Sequence, residues 1–597
     1  MSARGLAPLG IAVLSAACFL PALSGGFLNW DDNLNFVENP DFRGSAAGAI
    51  HWALASTLFG HYIPVTRLSW ALNRAVGGLN PWGYHLANLL VHAVNAVMVY
   101  LVARRLLAAA GAAGDQAERR RGDIVAGAVV TALVFGMHPL RTEPVSWITG
   151  RADLLCTLFV LLATWTYLTG VDRAGPARPG WLLASTACFS LAVLSKGGAL
   201  PLPVAFLLLD VYPLHRLRAL GWAPLLREKI PLFLMAVAGA LVVVQAVRTG
   251  AVLTPMADVA PLARATAATY SFALSLFRFV WPAALSPLHE MPERISLADG
   301  PFALAVGGAL AITIALVALW RVWPGGLVAW IFSALMLLPT SLALRRGVDL
   351  APDRYTYLSG LGYAVLVGGG GAAAIRLAHR QSVSRTVTWL VTVCGVVILV
   401  ALGVASWNLS AVWADSESLW RWAVDVDPQC SVCHGKLGES LFAGPEGITR
   451  VAEAERLFRR AIDLRPDLPD AYFNLGTALT LQGRYREAEE PLREYMVRMP
   501  GAASGPERLG LVYLLQGRPT EAVPLLRRAF SQKTDSEDLR GYLAKALEGA
   551  SQQLRAEGRL DESDRLTAEA RRLGALPSGR EAGTRAATPP IVGGPRP

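Results

Sequence analysis

Long apolar runs constrain the fold of this chain most, because the lipid core of a membrane takes about 20 apolar residues per helix. Hydrophobic residues make up 53% of the chain and charged residues only 17%, whereas soluble domains are nearer a quarter charged. The sequence therefore predicts a polytopic membrane protein of the all-α class, with about eleven transmembrane helices. The runs span about residues 6–23, 84–103, 124–138, 153–170, 181–195, 199–213, 230–247, 301–320, 326–344, 355–375 and 387–407.

Basic residues in short loops predict the orientation, because such loops stay cytoplasmic. Four basic loops alternate correctly if the N-terminus is inside: Arg104 to Arg121, Arg173 to Arg178, Arg216 to Lys229, and Arg376 to Arg385. The loops 24–83, 138–153 and 345–354, and the chain from residue 408 onward, then share the extracytoplasmic side. A bacterial inner membrane is the expected location.

Two segments allow alternatives. The first run also fits a signal peptide, since Arg4 precedes it, but its length and the many helices that follow favour a retained anchor. The segment 260–285 carries Arg264 and Arg278, and a charge at mid-membrane is costly, so we predict an interfacial or re-entrant helix. The net charge of +10 is largely that of the basic loops, which bind anionic lipid, so no nucleic-acid partner is predicted.

Residues 408–575 repeat with the 34-residue period of tetratricopeptide repeats. Each repeat is a helical hairpin, and stacked hairpins form a short solenoid whose concave surface is suited to peptide. The sequence thus predicts a membrane domain at 1–407, a repeat domain at 408–575 and a disordered tail at 576–597, which is rich in Pro, Gly and Ala. Pairs one period apart are Gly476 and Gly510, Gly483 and Gly517, Ala488 and Ala522, and Leu492 and Leu526.

The stretch C-S-V-C-H, from Cys430 to His434, matches the attachment pattern of c-type haem. Alignment of the repeats places both cysteines at the start of a repeat's first helix, where haem would disrupt the hairpin. We therefore favour a structural role without haem. On the oxidising side of a membrane the two thiols could instead pair with each other.

Polar residues break the apolar pattern in four clusters of the membrane half, and ionisable groups at membrane depth indicate function. On the predicted topology all four open to the extracytoplasmic face. Each also has a structural explanation: histidines can pack within helices, and a lysine can extend to the interface. The clusters are W-D-D from Trp30 with the segments from His61 and Gly83, H-P-L-R-T-E-P-V-S-W-I-T-G-R-A-D-L-L from His138, L-S-K-G-G from Leu194, and A-P-D-R-Y-T-Y-L from Ala351.

These clusters resemble the transmembrane and tetratricopeptide-repeat O-mannosyltransferases and their bacterial relatives, which are GT-C type glycosyltransferases. The resemblance includes the order of membrane domain and repeats, and the cluster from His138 is its most specific part. It implies transfer of a mannose-like sugar from a polyprenyl-phosphate donor to a hydroxyl group, with a protein acceptor or partner peptide on the repeats. It implies no cofactor, and no spacing of His, Asp or Glu residues marks a metal site. A role for a divalent metal ion stays as an alternative.

The resemblance and the chemistry together suggest roles for ten residues. Asp31 or Asp32 would take the acceptor proton, and Asp31 is the preferred base. Cations would stabilise the charge on the departing phosphate, and we assign Arg354, Lys196 and Arg151 to this role. The residues expected to orient the sugar or the acceptor are His138, Arg141, Glu143, His61 and His85.

Two other functions compete with the enzyme. A membrane-anchored repeat scaffold would need only one or two helices, so about eleven helices with polar clusters argue against it. A transporter of lipid-linked sugar would show charges near mid-membrane and an internal repeat among its membrane helices, and the sequence shows neither clearly.

Overall fold

The protein is described by a computed structural model, which covers residues 3–111, 121–172, 175–249, 260–292, 294–340, 349–379, 384–443, 447 and 449–574. Within these ranges the chain is helical and has no β-strand, only an isolated bridge between Glu290 and Asp349. The predicted all-α class is confirmed. The predicted tail at 576–597 and the basic residues Arg119, Arg120, Arg173 and Arg380 lie outside the described residues.

Contacts divide the chain into two compact units, Met1–Trp422 and Ala423–Pro597. Helices longer than five residues are numbered here. The first unit contains α1 Ala3–Ala17, α2 Ala46–Ala55, α3 Pro64–Gly77, α4 Pro81–Gly111, α5 Arg121–Met137, α6 Arg151–Gly170, α7 Pro179–Ser195, α8 Leu202–Val211, α9 Trp222–Thr249, α10 Pro261–Val280, α11 Gly300–Ala318, α12 Pro324–Leu337, α13 Leu361–His379 and α14 Arg385–Val412. Helix α15, Ser416–Val426, begins in this unit and ends in the next.

Six helices of the described chain are long and apolar enough to cross a membrane, namely α4, α6, α9, α11, α13 and α14. Helix α5 joins them if it and the segment Pro139–Ser146, which bends from it by 58°, form one broken span. The other four predicted runs lie on α1, α7, α8 and α12, which are apolar but shorter. Every predicted run thus has a helix, but several are too short to span alone. Helix α10, which lies in the segment predicted to be interfacial or re-entrant, is not among the helices that are long and apolar enough to cross a membrane.

Small residues bring α5 and α13 together. A Cβ atom on Gly368 would lie 1.9 Å from the Thr131 Oγ1, and one on Gly127 would lie 2.7 Å from the carbonyl oxygen of Gly368. Such close backbone approach is typical of packed membrane helices. The two helices are antiparallel, because the end of α5 lies near the start of α13: the Arg141 Nη1 donates to the carbonyl oxygen of Thr356 at 2.7 Å. The second and fourth polar clusters therefore meet.

The second unit is built from helical hairpins. Its helices are α16 Ser431–Ala443, α17 Val451–Leu464, α18 Pro469–Leu481, α19 Tyr485–Arg498, α20 Ser504–Leu515, α21 Pro519–Gln532, α22 Glu537–Ala556 and α23 Leu560–Gly574. Glycine is required within the hairpins, because a Cβ on Gly476 would lie 2.6 Å from the Leu492 side chain and one on Gly510 would lie 2.7 Å from that of Leu526.

An ion ladder repeats with the predicted period. Glu455 accepts from the Arg484 Nη1 at 2.7 Å, and 34 residues on Glu489 accepts from the Arg518 Nη1 at 2.7 Å. Cys430 and Cys433 form a disulfide bond and are fully buried. The structure thus shows the pairing alternative rather than haem attachment.

Candidate functional site

The two aspartates of the first cluster have different surroundings. Asp32 is fully buried, and its carboxylate accepts hydrogen bonds from the Leu28 amide at 3.2 Å and from the Thr149 amide and hydroxyl at 3.2 and 2.6 Å. Asp31 is only partly buried, and its carbonyl oxygen accepts from the Asn35 amide at 3.0 Å. Asp32 therefore fixes this loop onto the second cluster, while Asp31 lies nearer the surface.

Burial makes Asp32 sensitive to pH near neutrality. It raises the pKa of the carboxyl from 3.8 to about 7, against the hydrogen bonds from Thr149 and Leu28, and the neighbouring Asp31 charge raises it further. The folded chain thus holds the proton more tightly than the unfolded chain. This stabilisation is complete below about pH 4 and is lost as the pH rises through about 7.

We expect Asp32→Asn to weaken this dependence, because the amide cannot ionise. The thermal unfolding midpoint of the full chain in detergent would be compared at about pH 5 and about pH 8. The exposed Asp41 supplies the control Asp41→Asn. Equal pH dependence in wild type and Asp32→Asn would show that another group causes it.

Lys196 and Arg354 lie around one tyrosine ring. The Lys196 Nζ is 5.1 Å from the centre of the Tyr355 ring, and the Arg354 Cζ is 5.2 Å from it. Arg354 also lies 5.6 Å from the Trp147 ring centre. Aromatic faces attract cations, so these rings help to hold both positive charges. Two of the three predicted phosphate-binding cations are thus brought together.

Each of these cations has a carboxylate partner. Both carboxylate oxygens of Asp153 lie 2.7 Å from the Lys196 Nζ. Glu143 accepts from the Arg354 Nη1 at 2.5 Å and from its main-chain amide at 2.7 Å. Glu143, predicted to orient the sugar or the acceptor, therefore anchors Arg354 and its loop to the second cluster. These pairs preset the direction of both cations.

Arg151 is occupied by the protein itself. Its guanidinium donates to the Asn88 side chain at 2.8 Å, to the carbonyl oxygen of Tyr84 at 2.7 Å and to the Asn73 side chain, and the residue is only 1% exposed. Arg151 joins α3, α4 and α6, so its position does not favour the predicted contact with a donor phosphate.

His138 and Arg141 are also scaffold residues in this structure. The His138 Nδ1 accepts from the Leu140 amide at 3.2 Å, and its Nε2 donates to the carbonyl oxygen of Phe279 at 2.9 Å, so both ring nitrogens have partners. Arg141 is fully buried and donates to the carbonyl oxygens of Phe135 and Thr356. These contacts tie the bend after α5 to α10 and to the fourth cluster, so neither residue is placed to orient a substrate.

The two remaining predicted histidines lie in different surroundings. His85 is buried in α4 and packs closely against Gly25. A Cβ atom added to that glycine would lie 3.1 Å from the His85 Nε2. It packs under the loop that leads to the aspartates. His61 is partly buried and follows Gly60, whose positive φ of 67° lets the loop approach Val247 of α9.

Sequence reasoning did not assign roles to several neighbours of Arg354. Arg278 of α10 donates to the Asp353 carboxylate and to the carbonyl oxygen of Ala351, both at 2.7 Å. This pair holds the loop that carries Arg354, and it explains a charge that the sequence left in an apolar segment. Tyr355 and Trp147 lie within the recognised motifs. The attraction between aromatic rings and cations is the signal that could have identified them as partners of Lys196 and Arg354.

The segment from Trp147 to Arg151 connects the clusters. Trp147 contacts Arg354, Thr149 binds Asp32, and Arg151 binds Asn88. The aspartate loop and Arg354 therefore contact the same short segment. Within the described ranges no group of three or more His, Cys, Asp or Glu residues is arranged to hold a metal ion.

Known proteins resemble both parts of the chain. A tetratricopeptide repeat family model matches residues 448–506. Human protein O-mannosyl-transferase TMTC2 is 32% identical over 241 residues, which is 38% of this chain and 27% of that protein. Drosophila melanogaster Tmtc3 is 24% identical over 553 residues, which is 79% of this chain and 58% of that protein. This chain is similar in sequence to the TMTC O-mannosyltransferases.

The predicted family resemblance, with its repeats, is thus confirmed. The match spans little more than a quarter of human TMTC2, at 27% of its length. A crystal structure of ArnT from Cupriavidus metallidurans bound to undecaprenyl phosphate covers 92% of this chain and 88% of that chain, at 15% identity and a TM-score of 0.36.

Proposed function

We propose that this TMTC relative is an integral membrane glycosyltransferase, which moves a mannose-like sugar from a polyprenyl-phosphate donor to a hydroxyl group on protein. The observation that carries the proposal is the placement of Lys196 and Arg354 around Tyr355, joined through Trp147 and Thr149 to the aspartate loop. A donor phosphate needs preset cations, and the acceptor hydroxyl needs a nearby base.

The reaction is a single displacement. The acceptor oxygen attacks the anomeric carbon, and its proton passes to the Asp31 carboxylate. The bond between this carbon and the phosphate oxygen breaks, and the phosphate leaves with the electron pair. Attack opposite to the leaving group inverts the anomeric centre. Lys196 and Arg354 stabilise the charge on the departing phosphate, and no resident cofactor is needed.

The remaining predicted residues act in support. Asp32 holds the aspartate loop on Thr149, and Glu143 fixes Arg354. Arg151, His138 and Arg141 hold the helices and loops that carry the site. The tetratricopeptide repeats bind the acceptor protein on their concave surface. We place the repeats and the site on the extracytoplasmic side of a bacterial inner membrane, as the basic loops indicate.

Donor dependence tests this function. The full chain, purified and returned to lipid vesicles, would be given polyprenyl-phosphate mannose carrying a radiolabel and a protein extract as acceptor. We expect label in protein, released by treatment that cleaves O-linked sugars. Label from nucleotide-linked mannose but not from the lipid-linked donor would contradict the proposed donor, and label from neither would contradict the proposed transfer.

A further inference from the structure

A cavity of about 590 Å³ lies inside the first unit, away from the aspartates. Its walls come from α4, α5, α6, α8, α12 and α13, and most of the lining side chains are aliphatic or aromatic. Cavities of this size and character hold apolar ligands, with a few polar groups that fix their direction.

The cavity runs along the helices away from the candidate site. One end is lined by Leu202 and Leu361, which begin α8 and α13, and the other by Tyr212 and Arg376 near the ends of the same helices. From Leu361 to Arg376 the rise of α13 is about 22 Å. The cavity therefore reaches from below the Tyr355 loop to the opposite helix ends.

Arg376 is the basic residue in the lining of this cavity. Two other basic side chains near these helix ends are occupied: Arg216 pairs with Asp210 and Glu228, and Lys229 with Asp210. Arg376 is partly buried and has no ion pair, hydrogen bond or ring contact with any residue that the structure describes. An amphiphile with an anionic headgroup fits this arrangement, because its apolar chain can lie in the cavity while its headgroup pairs with Arg376.

We propose that this cavity holds one acyl chain of an anionic phospholipid, with the headgroup phosphate on Arg376. Basic pockets between membrane helices on the cytoplasmic side bind such headgroups, and the basic loops place Arg376 on that side. The sugar donor is a different ligand, because its proposed phosphate site at Lys196 and Arg354 lies beyond the Leu361 end of α13, whereas Arg376 lies about 22 Å further along that helix. The distinction from the sugar donor rests on the proposed function, whereas binding of a retained phospholipid at Arg376 does not require sugar transfer.

Photolabelling of the full chain in lipid vesicles tests the site. The probe is phosphatidylglycerol with a photoreactive group in one acyl chain, and the labelled residues are located by mass spectrometry. We expect adducts on the lining segments of α6, α8 and α13. Arg376→Gln should lower this labelling about fivefold, the effect of one basic residue on binding of anionic lipid. Gly369→Leu should abolish it by filling the cavity.

Matched controls separate the site from general lipid contact. Arg321→Gln removes an exposed arginine that does not line the cavity, and Gly371→Leu adds the same side chain elsewhere on α13, where a Cβ has only ordinary contacts with Val130. Both should label like the wild type. Equal labelling by a phosphatidylcholine probe, or no effect of Arg376→Gln, would overturn the headgroup assignment. Displacement of the probe by polyprenyl phosphate but not by phosphatidylglycerol would assign the cavity to an isoprenoid instead.

Discussion

Asp31→Asn is expected to lower sugar transfer by about 10²- to 10⁴-fold, which is the range that a positioned general base contributes. The amide cannot accept the proton of the acceptor hydroxyl. Because Asp31 is only partly buried, the change should leave the fold intact. The measurement is the initial rate of transfer from polyprenyl-phosphate mannose in vesicles, with the thermal unfolding midpoint as a check on folding.

Asp32→Asn separates the two aspartates. Asp32 accepts three hydrogen bonds from Leu28 and Thr149, so its replacement should move the loop, change the pH dependence of stability and reduce transfer less than Asp31→Asn does. Asp41→Asn is the control for loss of a carboxylate in the same loop. Normal transfer by both Asp31→Asn and Asp32→Asn would remove the aspartates from the catalytic assignment.

Arg354→Gln is expected to lower transfer by about 10²- to 10³-fold, as for the loss of one group that stabilises developing charge. Arg354→Lys should restore only part of the rate, because lysine lacks the planar fork that binds phosphate at two points. Kinetics over a range of donor concentrations would show the loss mainly in kcat if the contact strengthens as the phosphate departs.

Glu143→Gln tests how Arg354 is positioned. The glutamine keeps an acceptor for the Arg354 amide but removes the ion pair. Arg354 should therefore lose part of its fixed direction, and the KM of the enzyme for the donor should change.

The exposed Arg294 provides Arg294→Gln as the control for Arg354→Gln. If Arg354→Gln and Arg294→Gln lowered transfer equally, general loss of positive charge would explain both results.

The sequence predicted which segments form the site better than it predicted what each residue does. All four polar clusters were recognised, and Lys196 and Arg354 do lie together around Tyr355. Arg151 and Arg141 have the same residue type as Arg354 and lie in another of the four clusters, yet both donate to main-chain or side-chain amide oxygens. Local pattern cannot tell a partly buried arginine from a fully buried one, because the partners come from distant parts of the chain.

The sequence by itself determined the all-α class, the membrane helices, the 34-residue repeats and the family resemblance, since periodicity, hydrophobic length and motif order are local properties of the chain. Only the tertiary structure decided that Asp32 is buried on Thr149, that Glu143 anchors Arg354 and that Arg278 pairs with Asp353. These contacts join residues that lie from 75 to 211 positions apart. They depend on the close approach of helices such as α5 and α13, which no single segment specifies.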